Sequence, residues 1–147
     1  MAGSIRLTEE EFQQFIKLMS FVQLSDIFVL SEKFRNFRRG SGKNFKALLD
    51  IKGTKIDMDS AQPEAYITYV IKLFEGRKKI FEQETTYRIS LDITDKDQVK
   101  EILSNEKIRR FFLEKQLMKV TWPFLRQEFH DNCARVGIRP LTLPFLK

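Results

Sequence analysis

One cysteine, one histidine and one tryptophan occur in 147 residues, and each scarcity excludes a class of protein. With Cys133 alone, no internal disulfide can close and no thiolate zinc site can be built. His130 stands three positions from Cys133, so on a helix the two would be ordinary neighbours. A nucleophilic Cys–His pair also needs a third group to orient the base, and none is suggested. Gly-rich phosphate loops, metal-ligand spacings and Ser–His–Asp sets are missing too. No catalytic residue, metal or cofactor is therefore assigned. No stretch approaches the ~18 consecutive apolar residues of a membrane span. Met1-Ala2-Gly3-Ser4 leads to Arg6 and a run of Glu, not to the apolar centre of a secretory signal. A cytoplasmic protein without membrane insertion is expected.

What the chain has in quantity is phenylalanine: fourteen, with three Tyr. Its length fits one domain with a real core, expected over 1–147 with residues 1–7 a disordered or tag-like lead. Net charge is +6, from 26 basic and 20 acidic residues. That excess can steer the chain to an acidic partner, nucleic acid or a membrane surface, although most charges read as the solvated faces of helices and strands.

Thr8 followed by Glu11 is a capping box, and Glu9, Glu10 and Glu11 suit the positive end of a helix dipole. Phe12, Phe15, Ile16 and Met19 then recur at helical spacing, predicting a helix over 9–20 whose stripe packs on the domain. From Phe21 to Leu30 the pattern is β-rich. Residues 45–58 and 66–74 predict a second and third strand, with a turn over 60–63. The third is apolar on both faces, so its second face needs covering by helices or another subunit. A fourth strand over 79–93 alternates cleanly: Phe81, Thr85, Tyr87, Ile89, Leu91 and Ile93 on one face, Glu82, Glu84, Thr86, Arg88, Ser90 and Asp92 on the other.

After Asp95 the chain turns helical. Val99, Ile102 and Leu103 form one stripe, and Ile108, Phe111, Phe112 and Leu113 the next. Pro123 is comfortable only in a first helical turn, which predicts a separate helix starting at Thr121 or Trp122. Trp122, Leu125, Phe129, Cys133 and Val136 line its inner face, and Gly137 caps it. Pro140 and Pro144 keep the tail extended. The fold class is α+β: a four-stranded antiparallel meander with an N-terminal helix and C-terminal helices.

The run Val120-Thr121-Trp122-Pro123-Phe124-Leu125-Arg126-Gln127-Glu128 resembles the start of the long helix in the SecB family. Ile138-Arg139-Pro140-Leu141-Thr142-Leu143-Pro144-Phe145 resembles its proline–leucine tail, and residues 80–93 its third strand, acidic on the outward face. The likeness covers the C-terminal half well and the N-terminal half in strand order. It implies a homo-oligomer, dimer or tetramer, that holds unfolded client polypeptides in apolar grooves without nucleotide or metal. Implied partners are the SecA motor, for preproteins, or a toxin–antitoxin pair whose antitoxin is protected. Motor docking would fall on Glu82 and Glu84, although classical members are acidic and this chain is basic. The family continues into a further helix past the tail, which the helix over 9–20 is expected to replace or leave open.

Holding needs aromatic area that stays soluble within charged surroundings. Candidates for client contact are Phe28 and Leu30, Phe45 and Leu49, and Trp122 and Phe124, with Trp122 foremost a structural anchor. For any one Phe, core or subunit interface is the plainer reading. A competing function is a basic nucleic-acid-binding module over 34–46, with Arg35, Arg38, Arg39 and Lys43 on phosphates and Phe37 stacking on bases. Its plainer reading is a strand end entering a Gly-Ser loop, so nucleic acid is not the expected partner.

Overall fold

The computed structural model of the chain describes residues 5–37 and 45–137. Thr8 opens α1 (Glu9–Phe21) as foreseen: its hydroxyl accepts from the Glu11 N–H at 3.1 Å, and the Glu11 carboxylate accepts from the Thr8 N–H at 3.0 Å. The stripe differs from expectation. Phe15 and Leu18 turn inward, with the Phe15 ring edge-on to Phe111 at 4.9 Å, while Phe12 and Ile16 stay 46% and 49% exposed. Only one flank of α1 meets the other helices, so the other keeps its apolar side chains in water.

The strands are β1 (Val22–Asn36), β2 (Phe45–Asp57), β3 (Glu64–Glu75) and β4 (Lys78–Ile93), all paired antiparallel. Gly76, at φ +63°, makes the tight β3–β4 turn that a side-chain-bearing residue adopts only with strain. The expected antiparallel sheet backed by helices is present, in the order β1-β4-β3-β2. Strands β2, β3 and β4 form the meander, and β1 lies beside β4 in Greek-key fashion. Alternation then decides burial. Ala65, Ile67, Tyr69, Ile71 and Leu73 of β3, and Phe81, Gln83, Thr85, Tyr87, Ile89 and Leu91 of β4, are sealed beneath the helices. The opposite faces of both strands are mostly half-buried, and no described helix lies over them.

Asp95 caps α2 (Lys96–Leu103) by accepting from the Gln98 N–H, and Asn105 caps α3 (Glu106–Phe111). A π turn at Phe112–Gln116 leads directly into α4 (Leu117–Arg135). The separate helix expected at Thr121 is therefore corrected: α4 is already under way at Leu117, and Pro123 lies inside it. Pro123 removes the N–H that the Lys119 carbonyl would use. Both residues face water, so solvent can serve that carbonyl. Meanwhile Leu117, Met118, Trp122, Leu125, Phe129 and Cys133 anchor the helix to the core on its other side. Gly137 follows at φ +76° with its N–H on the Ala134 carbonyl, the left-handed C-cap expected of it. The proline–leucine tail lies outside the described residues.

Candidate functional site

Edge strands explain where apolar surface stays in water. β1 has β4 on one side and, among the described residues, no strand on the other. Helices cover the sheet's centre, so β1 exposes apolar side chains on both faces. Phe28, opposite Arg88 in register, is 45% exposed on the helix-free face, with the Arg88 guanidinium 5.0 Å from its ring centre. Val29, opposite Tyr87, is 44% exposed on the helix side. Leu30 sits in the irregularity between Val29 and Ser31 and is 51% exposed. Phe34 is also exposed, yet its ring lies 6.3 Å from buried Phe81, which meets Phe129 of α4 edge-on at 6.0 Å. A line of rings thus runs from the strand edge into the core.

On the other edge strand, Phe45 and Leu49 are half-buried on the helix side and pack against the core, with Ile51. Leu48, beside them, turns to the helix-free face and is 48% exposed. Trp122 is buried at 6%, as an anchor should be, and presents little area of its own; Phe124, two residues on, points off the outer side of α4 at 50% exposure. The six candidates therefore do not form one patch. Phe28 and Leu30 lie on one edge, Phe45 and Leu49 on the other, and Phe124 on the helix layer's outer surface. Val29, Phe34 and Leu48 share this exposure; Val29 and Leu48 lie within strands that the sequence marks, while Phe34 falls beyond Leu30, where the sequence reading ends the strand and β1 in fact continues to Asn36.

Beneath α4 runs a polar seam that alternation alone could have flagged, since Gln83 falls between the inward-facing Phe81 and Thr85. Gln83 is fully buried and donates to the Thr85 hydroxyl at 3.0 Å; Asn132 of α4 donates to Gln83 Oε1 at 3.1 Å and also to Glu32 Oε1 of β1. Glu128, one turn before Asn132, hydrogen-bonds Glu32, and burial together with that neighbouring carboxylate raises its pKa to about 7. The Tyr69 phenol meets the Thr121 hydroxyl at 2.7 Å, and burial pushes its pKa well above the usual phenol range. These groups fasten β1, β3, β4 and α4 together. Among the described residues there is no cluster of three or more His, Cys, Asp or Glu side chains that could hold a metal ion.

Glu82 and Glu84 lie on the helix-free face, each beside a lysine: Glu84 Oε1 is 2.6 Å from Lys52 Nζ, and Glu82 Oε2 is 3.4 Å from Lys79 Nζ. Of the basic 34–46 stretch, Phe37 already has Lys79 Nζ 4.8 Å and the Arg35 guanidinium 5.8 Å from its ring centre. Arg38, Arg39 and Lys43 lie outside the described residues.

A four-stranded antiparallel sheet in this order, with α1 and the C-terminal helices on one face, is the SecB-like chaperone fold. It is shown by the likeness to a solved structure of the Mycobacterium tuberculosis SecB-like chaperone in complex with a ChAD peptide from the HigA1 antitoxin. The TM-score is 0.76 at 16% identity, covering 92% of this chain and 97% of that one. At that identity the likeness is one of fold. A protein of unknown function from Streptococcus agalactiae aligns over 84% of this chain and 97% of its own at 13% identity, with a TM-score of only 0.32. No protein-family model and no curated protein matches the sequence.

Proposed function

We propose that this chain is a holding chaperone that needs no ATP and keeps unfolded polypeptides soluble on the apolar stripes of its edge strands. The observation that carries the reading is β1: Phe28, Val29, Leu30 and Phe34 are all two-fifths exposed or more on one strand, a concentration that a self-contained sheet edge avoids. Client contact falls to Phe28 and Leu30 on β1, Phe45 and Leu49 on β2, and Phe124, while Trp122 fixes the helix that carries Phe124. Covering ~300 Å² of such surface yields about 7 kcal/mol at ~25 cal/mol per Å², before ordering of the client takes most of it back. Weak, general and reversible binding follows.

The solved neighbour's peptide comes from an antitoxin, which favours an antitoxin over a preprotein as the client here. Docking to SecA is less well supported, because Glu82 and Glu84 sit among lysines. The unpaired β1 edge also suits a second copy: two such edges related by a two-fold axis would pair main chain to main chain and leave the side chains on both faces free. A cytoplasmic homo-oligomer, dimer or tetramer, is thus part of the reading.

The test is suppression of light scattering by a chemically unfolded client. Phe28→Asp with Leu30→Asp should abolish most of it while circular dichroism and elution volume stay those of the parent. Undiminished suppression removes β1 as the holding surface. Running the assay at 0.05 and 0.5 M salt separates apolar holding, which hardly responds, from phosphate binding, which falls by roughly one log unit per log unit of salt for each phosphate neutralised.

A further inference from the structure

The helix-free face of the sheet carries a second, charged surface, which borders the apolar stripes at Phe34 and Leu48. Its centre is Glu82 and Glu84, and the sheet surrounds both with cations. Glu84 faces Lys33 of β1 in register and reaches Lys52 of β2 across β3; Glu82 faces Arg35 on one side and Lys72 on the other, with Lys79 nearby. Five cations thus surround these two carboxylates, with Asp50 of β2 a third acid at the far edge. Lys33, Arg35 and Lys72 form no ion pair with any described residue. The surface is also concave. One hollow of about 540 Å³ is lined by Lys33, Phe34, Arg35, Lys52, Glu82 and Glu84. A second, of about 520 Å³, shares Lys52, Glu82 and Glu84 and continues over Lys72, Val70, Leu48 and Asp50. Together they make one groove running across the strands from β1 to β2, basic at the β1 end through Lys33 and Arg35, and partly apolar at the β2 end, where Asp50 also lies.

We infer that this groove takes an extended, acidic polypeptide segment carrying an apolar residue. Its acidic side chains would lie on Lys33, Arg35 and Lys72, and its apolar one on Leu48 and Val70. Strands lie ~4.8 Å apart, so crossing the four-stranded sheet spans ~14 Å, the length of four or five extended residues. The groove discriminates against nucleic acid in two ways. Glu82 and Glu84 stand in the path of a continuous phosphate chain, whereas a polypeptide can place its acids to either side of them. The exposed rings nearby are already engaged: Phe34 stacks on Phe81, and Phe37 has Arg35 and Lys79 close to its ring centre. The inference concerns the sheet face away from the helices and stands whether or not the chain holds unfolded clients.

Fluorescence anisotropy on the full chain tests it, with three labelled probes of equal length: an acidic peptide alternating Glu with Leu, the same peptide with Lys for Glu, and a single-stranded oligothymidylate. The acidic peptide should bind most tightly, and more weakly as salt rises. Lys33→Glu with Arg35→Glu replaces two attractions by repulsions and should weaken it about tenfold. Glu82→Gln with Glu84→Gln should tighten it several-fold and weaken binding of the Lys peptide, an opposite pair of changes that misfolding cannot imitate. Equal binding of the acidic and basic peptides, indifference to both double variants, or tighter binding of the oligonucleotide each overturns the inference.

Discussion

Raising pH should loosen the seam between β1 and α4, and Glu128 is the reason. Its carboxyl, ordinarily near 4.5, is held at about 7 by burial and by the Glu32 carboxylate it hydrogen-bonds; Asp131 adds to the rise and Arg135 opposes it. The folded chain therefore retains a proton that the unfolded chain gives up. Stability from this group is fully present below pH 4.5 and is lost as pH climbs through 7. At about 1.4 kcal/mol per pKa unit the full loss would be roughly 3 kcal/mol. Water reaches part of the side chain, so a fall of ~1–2 kcal/mol is expected between pH 5 and 8.5. Urea unfolding followed by circular dichroism across that range would measure it. Glu128→Gln keeps a donor for Glu32 but cannot ionise, and subtracting its curve removes the titration of every other group. Parallel curves for parent and variant would refute the reasoning, since the slope would then come from elsewhere.

Phe129→Ala should cost ~3–5 kcal/mol, because the ring is fully buried and edge-on to Phe81; the urea midpoint would report it. Thr121→Val leaves the buried Tyr69 hydroxyl without its 2.7 Å partner and should cost ~1–3 kcal/mol. Adding Tyr69→Phe should recover much of that loss, and a double-mutant cycle showing no coupling would discount the bond.

Strand edges decide which aromatics stay in water, for a physical reason. Phe28 and Tyr87 lie on neighbouring strands and are similar in size. Tyr87 is sealed because β4 has a strand on each side and α4 above it; Phe28 is open because, among the described residues, β1 has neither a second neighbour nor a helix over that face. Local composition at the two positions does not distinguish them.

Features set within a few residues were legible in the chain itself. Thr8 and Glu11 close a capping box between positions three apart, β4 reads inward and outward by simple alternation, and Gly137 marks a left-handed end because other residues are strained there. The combination Trp122-Pro123-Phe124-Leu125-Arg126 likewise pointed to the fold that the structure displays. Contacts between distant segments decided the rest. That β1 pairs with β4, that Phe12 and Ile16 stay in water, that Pro123 sits inside a helix held by its buried side, and that Glu82 and Glu84 are encircled by lysines and an arginine all depend on which strand or helix lies alongside. A residue's preference is written in its own few neighbours, whereas its exposure and its charge environment belong to segments tens of residues away.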